Sequence, residues 1–219
     1  MSKRNTTLSK KRVLITILLF LAIPIGAKIL NRSIQQYDIS LMFTFNIFGS
    51  LIIFYDWNLF GVHYNRAKYN IDDTILYTIV AYVALMIWTI FSLDILHCRI
   101  ILPTGKTLTS FGYARLGMLI SYSFIEAFSF SITIKSASDR LSISGREIPI
   151  ILLTGLIAGI TITFLFLPSH NLLTILTTIL YNVILLIFLS YIYNQCGSFF
   201  PGAIAFALCN LTIMITAMM

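Results

Sequence analysis

The chain has 219 residues, of which 58% are hydrophobic and 11% charged, with a mean hydropathy of +0.91 and a formal net charge of +7. A soluble domain of this length cannot hide so much apolar surface, so the lipid bilayer is the expected partner for it. The basic balance is then loop charge facing anionic lipid and the cytoplasm; no nucleic-acid partner is expected, because no basic cluster falls on a soluble segment.

The N-terminus, MSKRNTTLSKKRVLITILLFLAIPIGAK, has the outline of a signal peptide: basic, then apolar, then Gly26-Ala27. Ile25 fits an A-x-A cleavage site poorly, and the apolar run continues into Ile29 and Leu30, so the segment is read as an uncleaved first span over about 13–30. Further spans are expected at about 40–55, 74–93, 113–134, 148–167, 172–193 and 201–217. The fold class is therefore all-α, a polytopic bundle of about seven transmembrane helices forming a single integral membrane domain over 1–219. The stretch FGVHYNR, with His63, reads as loop between the second and third spans. Pro168 and Asn171 break the chain between the fifth and sixth, making a tight helical hairpin.

Orientation follows from basic residues. Lys3, Arg4, Lys10, Lys11, Arg12, Arg66, Lys68, Lys135, Arg140 and Arg146 fall on one side of a seven-span layout. Lys28, Arg32, Arg99 and Lys106 fall on the other. This excess predicts a cytoplasmic N-terminus. Within the fifth span, TGLIAGIT sets Gly155 and Gly159 four residues apart, the small-residue spacing that lets two helices approach closely. Cys98, Cys196 and Cys209 are scattered, form no CxxC and act as small apolar residues.

Few polar groups lie at membrane depth. Glu126, in SYSFIEAFSFSITIK, is the one acid inside an expected span. An ionised carboxylate at the centre of a span costs roughly 2.5–3.5 kcal/mol, so Glu126 must be neutral, paired or facing a cavity. Asp94 and His97 stand three residues apart at the end of the third span, beside Cys98, a spacing that shares one helical face. His170 lies in the hairpin turn LPSHN. Asn46, Asn182 and Asn210 are mid-span amides of the kind that tie helices together.

Near the C-terminus, Gly197-Ser198-Phe199-Phe200-Pro201 is followed by Phe206-Ala-Leu-Cys-Asn210. This resembles the last motif of the CPBP family, the CAAX-protease and bacteriocin-processing (Abi) intramembrane metalloproteases, in which a G-S-aromatic-aromatic-P turn leads into HxxxN. The family's first motif, EExxxR, is matched by Glu126, with Ala127 and Ser131 in the other two positions. Ile162 and Phe166 take the slot of its FxxxH motif, just before Leu167-Pro168, with both signature residues replaced. The resemblance covers a CPBP/Abi-like core at about 113–212.

The resemblance implies a bundle in which glutamates and histidines from separate helices activate water, through a divalent metal such as zinc, to cleave a peptide bond. In this sequence the matching positions read Glu126, Ala127, Ser131, Phe166, Phe206 and Asn210, and phenylalanine neither ligates a metal nor moves a proton. The expectation is a catalytically impaired bacterial membrane protein with no cofactor, in which Glu126 is a remnant acid meeting Asn210 or Ser131. It would act by binding another membrane protein or a peptide, as a scaffold or bacteriocin self-immunity protein. Two other readings stand beside it. One is an active metalloprotease with displaced ligands, drawing on Glu126, His170 and the pair Asp94 and His97. The other is a small transporter or channel subunit. The sequence does not fix an oligomeric state.

Overall fold

The computed structural model describes residues 9–98, 100, 102, 114–141, 147–167 and 171–216. Every element among them is helical: α1 (Lys10–Ile34), α2 (Tyr37–Thr44), a π turn (Phe45–Gly49), α3 (Ser50–Tyr55), α4 (Trp57–Tyr69), α5 (Ile71–Asp94), α6 (Ala114–Leu141), α7 (Glu147–Phe166), α8 (Leu172–Cys196) and α9 (Phe200–Thr216). Five helices are long and apolar enough to cross a membrane: Lys10–Ile34, Tyr37–Tyr55, Ile71–Asp94, Leu116–Lys135 and Leu172–Cys196. The remaining two expected spans contain shorter apolar helices, Gly155–Phe166 and Phe200–Thr216.

The large exposed side chains suit lipid rather than water. Along α5, Ile75, Leu76, Ile79, Val83 and Ile87 all point outward, while Ala81, Leu85, Thr89 and Ser92 face the bundle. That inner stripe, repeating every three or four residues, packs on α9. The helix α6 runs through the middle, touching α1, the π turn, α3, α7 and α9.

The second span is not one regular helix. A π turn at Phe45–Gly49 separates α2 from α3. Here α6 comes close: a Cβ at Gly49 would lie 2.7 Å from Ile125 Cγ2 and 3.3 Å from Ser129 Oγ. The hairpin of α7 and α8 forms as the glycine spacing predicts. A Cβ on Gly155 would come 3.1 Å from the Ile187 backbone N, and one on Gly159 would come 2.7 Å from the Val183 backbone N. These are backbone contacts, which no side-chain rotation can relieve. Asn182 reinforces the pair by donating to Thr163 Oγ1 at 2.9 Å.

The segment expected as loop after the second span is helical instead. Its residues 57–69 form α4, whose buried face is Leu59, His63 and Ala67 at four-residue spacing. A polar histidine in the middle of that stripe, with charged residues around it, hides the amphipathic period from a reading of apolar residues alone.

Candidate functional site

Glu126 and Asn210 meet at the centre of the bundle. Glu126 lies near the middle of the Leu116–Lys135 span of α6, and Asn210 lies on α9. Both are buried, and Asn210 Nδ2 donates to Glu126 Oε2 at 2.9 Å. The buried Tyr122 hydroxyl lies one turn earlier on α6, beside Glu126.

This pair borders a cavity of about 80 Å³ between α2, α6, α7, α8 and α9. That is well above the roughly 10–15 Å³ a single water needs. Ile162, Phe166 and Phe206 line it, so all three positions matched to the family's histidine motifs share one space with Glu126 and Asn210. Phe45 and Phe130 complete the aromatic wall. Phe45 stacks on Phe166 with centroids 5.6 Å apart and on Phe130 at 5.8 Å. Phe130 meets Phe166 at 6.2 Å and Phe206 edge-on at 6.3 Å. Sequence reasoning missed both of these rings. Phe130 had a signal, since it follows Glu126 by four residues and so shares its helical face. Phe45 had none, because the π turn that aims it is not legible in the sequence.

The other candidate residues fall elsewhere. Ala127 is buried and Ser131 half-buried, and neither lines the cavity. Of the two partners expected for Glu126, Asn210 makes the bond; Ser131 makes none to it. Asp94 is the last residue of α5, and His97 lies beyond the helix end at φ 49°, so the expected shared helical face does not form. Both are exposed and neither borders the cavity. The chain leaves the helix here because Leu96 N and Cys98 N turn back to the Phe91 and Ser92 carbonyls. His170 lies outside the described residues. Asn46 donates to the Met42 carbonyl of its own helix, so it does not tie helices together.

The residues at the motif positions do not fit a catalytic metal. Such a site takes about three protein ligands from imidazole, thiolate or carboxylate. Glu126 is one carboxylate, Asn210 is an amide already bonded to it, and the remaining positions carry Ala127, Ser131, Ile162, Phe166 and Phe206, none of them an imidazole, thiolate or carboxylate. Among the described residues no group of three or more His, Cys, Asp or Glu is placed to hold an ion.

A second buried polar centre lies where α4 meets the turn between α8 and α9. Gly197 adopts the left-handed conformation at φ 64°, closing α8 with a backbone bond to Tyr193 O, a geometry that glycine reaches at no steric cost. Ser198 Oγ then donates to the His63 carbonyl at 3.0 Å and accepts from Phe200 N at 3.3 Å. This satisfies one of the free N–H groups at the start of α9. Arg66 Nη1 donates to the Gly197 carbonyl at 3.1 Å. The His63 ring is wholly buried against Phe199 and Tyr193, with neither nitrogen hydrogen-bonded among the described residues. Burial, with the Lys135 and Arg66 charges, brings its pKa down to about 3, so the imidazole is neutral at ordinary pH.

A third polar contact closes the same end of the bundle. Thr16 Oγ1 donates to Asp56 Oδ2 at 2.6 Å, joining α1 to the break between α3 and α4. Burial raises the Asp56 pKa, and this hydrogen bond and the Arg12 charge oppose the rise.

A scan against protein-family models, a search of curated proteins and a search of solved structures each return no match.

Proposed function

We propose that this chain is a catalytically impaired, CPBP-like membrane protein that works by binding another membrane protein or a peptide, as a scaffold or a bacteriocin self-immunity protein. It would cross a bacterial cell membrane seven times, with its N-terminus in the cytoplasm, the shorter apolar helices of α7 and α9 supplying the last two crossings needed for that count. One observation carries the reading. Positions from all three motifs, Glu126, Phe166, Phe206 and Asn210, line one cavity. That convergence is what the resemblance implies for the hydrolytic centre, and rings stand there where imidazoles would be required. Activating a water needs a general base within reach and room for the water to be polarised. Among the described residues Glu126 has neither a second carboxylate nor a histidine beside it at this cavity.

The test is affinity capture from native membranes with the wild type and with Glu126→Ala, followed by analysis of the captured partner. The expected result is an intact partner in both, with the same fragment pattern. Partner fragments present with the wild type and missing with Glu126→Ala would establish an active protease and end this reading.

A further inference from the structure

Glu126 is a buried carboxylate near the middle of a candidate membrane span, bonded to Asn210 through Oε2 and bordering a cavity. Among the described residues no Lys, Arg or His lines that cavity, and the other titratable lining group is the Tyr181 phenol. Phe45, Phe130, Phe166 and Phe206 line the same cavity as the carboxylate, together with aliphatic side chains such as Leu41, Ile162 and Leu185. A carboxylate flanked by aromatic rings is the chemistry that recognises an ammonium group. The carboxylate supplies the countercharge, and a ring face attracts a cation more strongly once both are desolvated. Intramembrane charges are retained where they find an opposite charge.

We propose that this cavity receives the ammonium group of a lysine carried at mid-depth by a membrane-inserted peptide. The proposal rests on the binding function above and names the partner's chemistry. Depth selects the source of the amine. Glu126 lies near the centre of a 20-residue span, whereas the amine of a phospholipid headgroup stays at the bilayer surface, roughly 15 Å away for a hydrocarbon core about 30 Å thick. The route in is the seam between α6 and the α7–α8 hairpin. α7 is locked to α8 by the glycine contacts and touches α6 and α1 far less. A peptide entering there would lie along the hairpin and place a lysine side chain against Phe130 and Glu126.

The test uses the full chain in phosphatidylglycerol nanodiscs and a biotinylated Leu-Ala transmembrane peptide with one central lysine. A second peptide carries norleucine, which keeps the side chain's aliphatic length and removes its charge. Capture of the protein by the lysine peptide should exceed capture by the norleucine peptide by roughly tenfold or more. Glu126→Gln still accepts the bond from Asn210, and it should bring lysine capture down to the norleucine level. Phe130→Leu leaves the Glu126–Asn210 pair intact and should weaken lysine capture roughly threefold to tenfold. Trp88 reports from next door, since its indole N–H donates to the Tyr181 carbonyl at 3.3 Å. In a Trp57→Phe background its emission should change saturably with the lysine peptide only.

Equal capture of both peptides, or capture indifferent to both Glu126→Gln and Phe130→Leu, overturns the proposal. So does selective loss of capture when phosphatidylethanolamine is added to the disc, which would mark a headgroup site. None of these outcomes produces partner fragments, so failure here is distinct from failure of the binding reading.

Discussion

Glu126 and His63 are both shut inside the protein, yet they are held in different ways. At Glu126 the side chain itself is bonded, to Asn210 on α9, at mid-span. At His63 the backbone is bonded, through Ser198, and the imidazole between Phe199 and Tyr193 has no hydrogen-bond partner among the described residues. The two arrangements fix opposite parts of α9, its start by backbone-directed bonds and its body by one side-chain pair. The first depends on what the turn is made of, Gly197 and Ser198, more than on what residue 63 is. The second depends wholly on the identities of residues 126 and 210. Charge follows the same division. His63 stays neutral near two cations, while Glu126 sits at a cavity on whose wall no cation stands among the described residues.

Acid should break the two centres apart most strongly. The folded pKa of His63 is about 3 and its unshifted value is 6.5, so between these the unfolded chain binds a proton that the folded chain refuses. The stability that neutral His63 contributes is complete above pH 6.5 and falls as pH drops, by about 1.4 kcal/mol per unit and close to 3 kcal/mol by pH 4.5. Chemical unfolding in mixed micelles across that range measures the slope, and His63→Phe should flatten it. A wild-type slope that survives this substitution would assign the acid sensitivity to another group.

Asn210→Leu comes next. It leaves the buried carboxylate without its donor and should lower stability by about 2 kcal/mol. The double variant Glu126→Leu/Asn210→Leu removes both polar partners and should regain most of that loss, because an unmade bond costs more than an absent one. If the double variant is no more stable than the single, the pair is not the local constraint described above. The smallest effect is expected at Ser198→Ala, which removes the cap on α9 and the bond to the His63 carbonyl, for a loss of about 1 kcal/mol. This loss should be the same at pH 7 and pH 5, in contrast to the His63 term.

These two centres also mark how far the sequence could be read. The glycine pair of α7 was legible because small residues at four-residue spacing have one main use in a membrane helix. The pairing of Glu126 with Asn210 was legible because polar groups at depth are few and must find each other. His63 was not, since α4 has only three buried positions and a histidine at the central one breaks the apolar stripe. Asp94 and His97 misled in the opposite direction. Their spacing fits a helical face, but the helix stops between them, and nothing in Asp94-Ile-Leu-His97 announces the stop. Phe130 and Phe45 were lost in a chain with 17 phenylalanines, where a ring in an apolar span carries little information until its direction is known.

The π turn at Phe45–Gly49 has a consequence for how the cavity came to have its shape. A regular α-helix turns about 100° per residue, so a π turn amounts to one extra residue accommodated within the coil. Taking one residue out of 46–48 would restore ordinary winding and rotate Phe45 by about that angle relative to Gly49. The lower half of the span could keep its seat against Ile125 and Ser129 while the ring swung off Phe166. One wall of the chamber thus depends on the length of the polypeptide, and a change in residue count could reshape it without exchanging a single side chain.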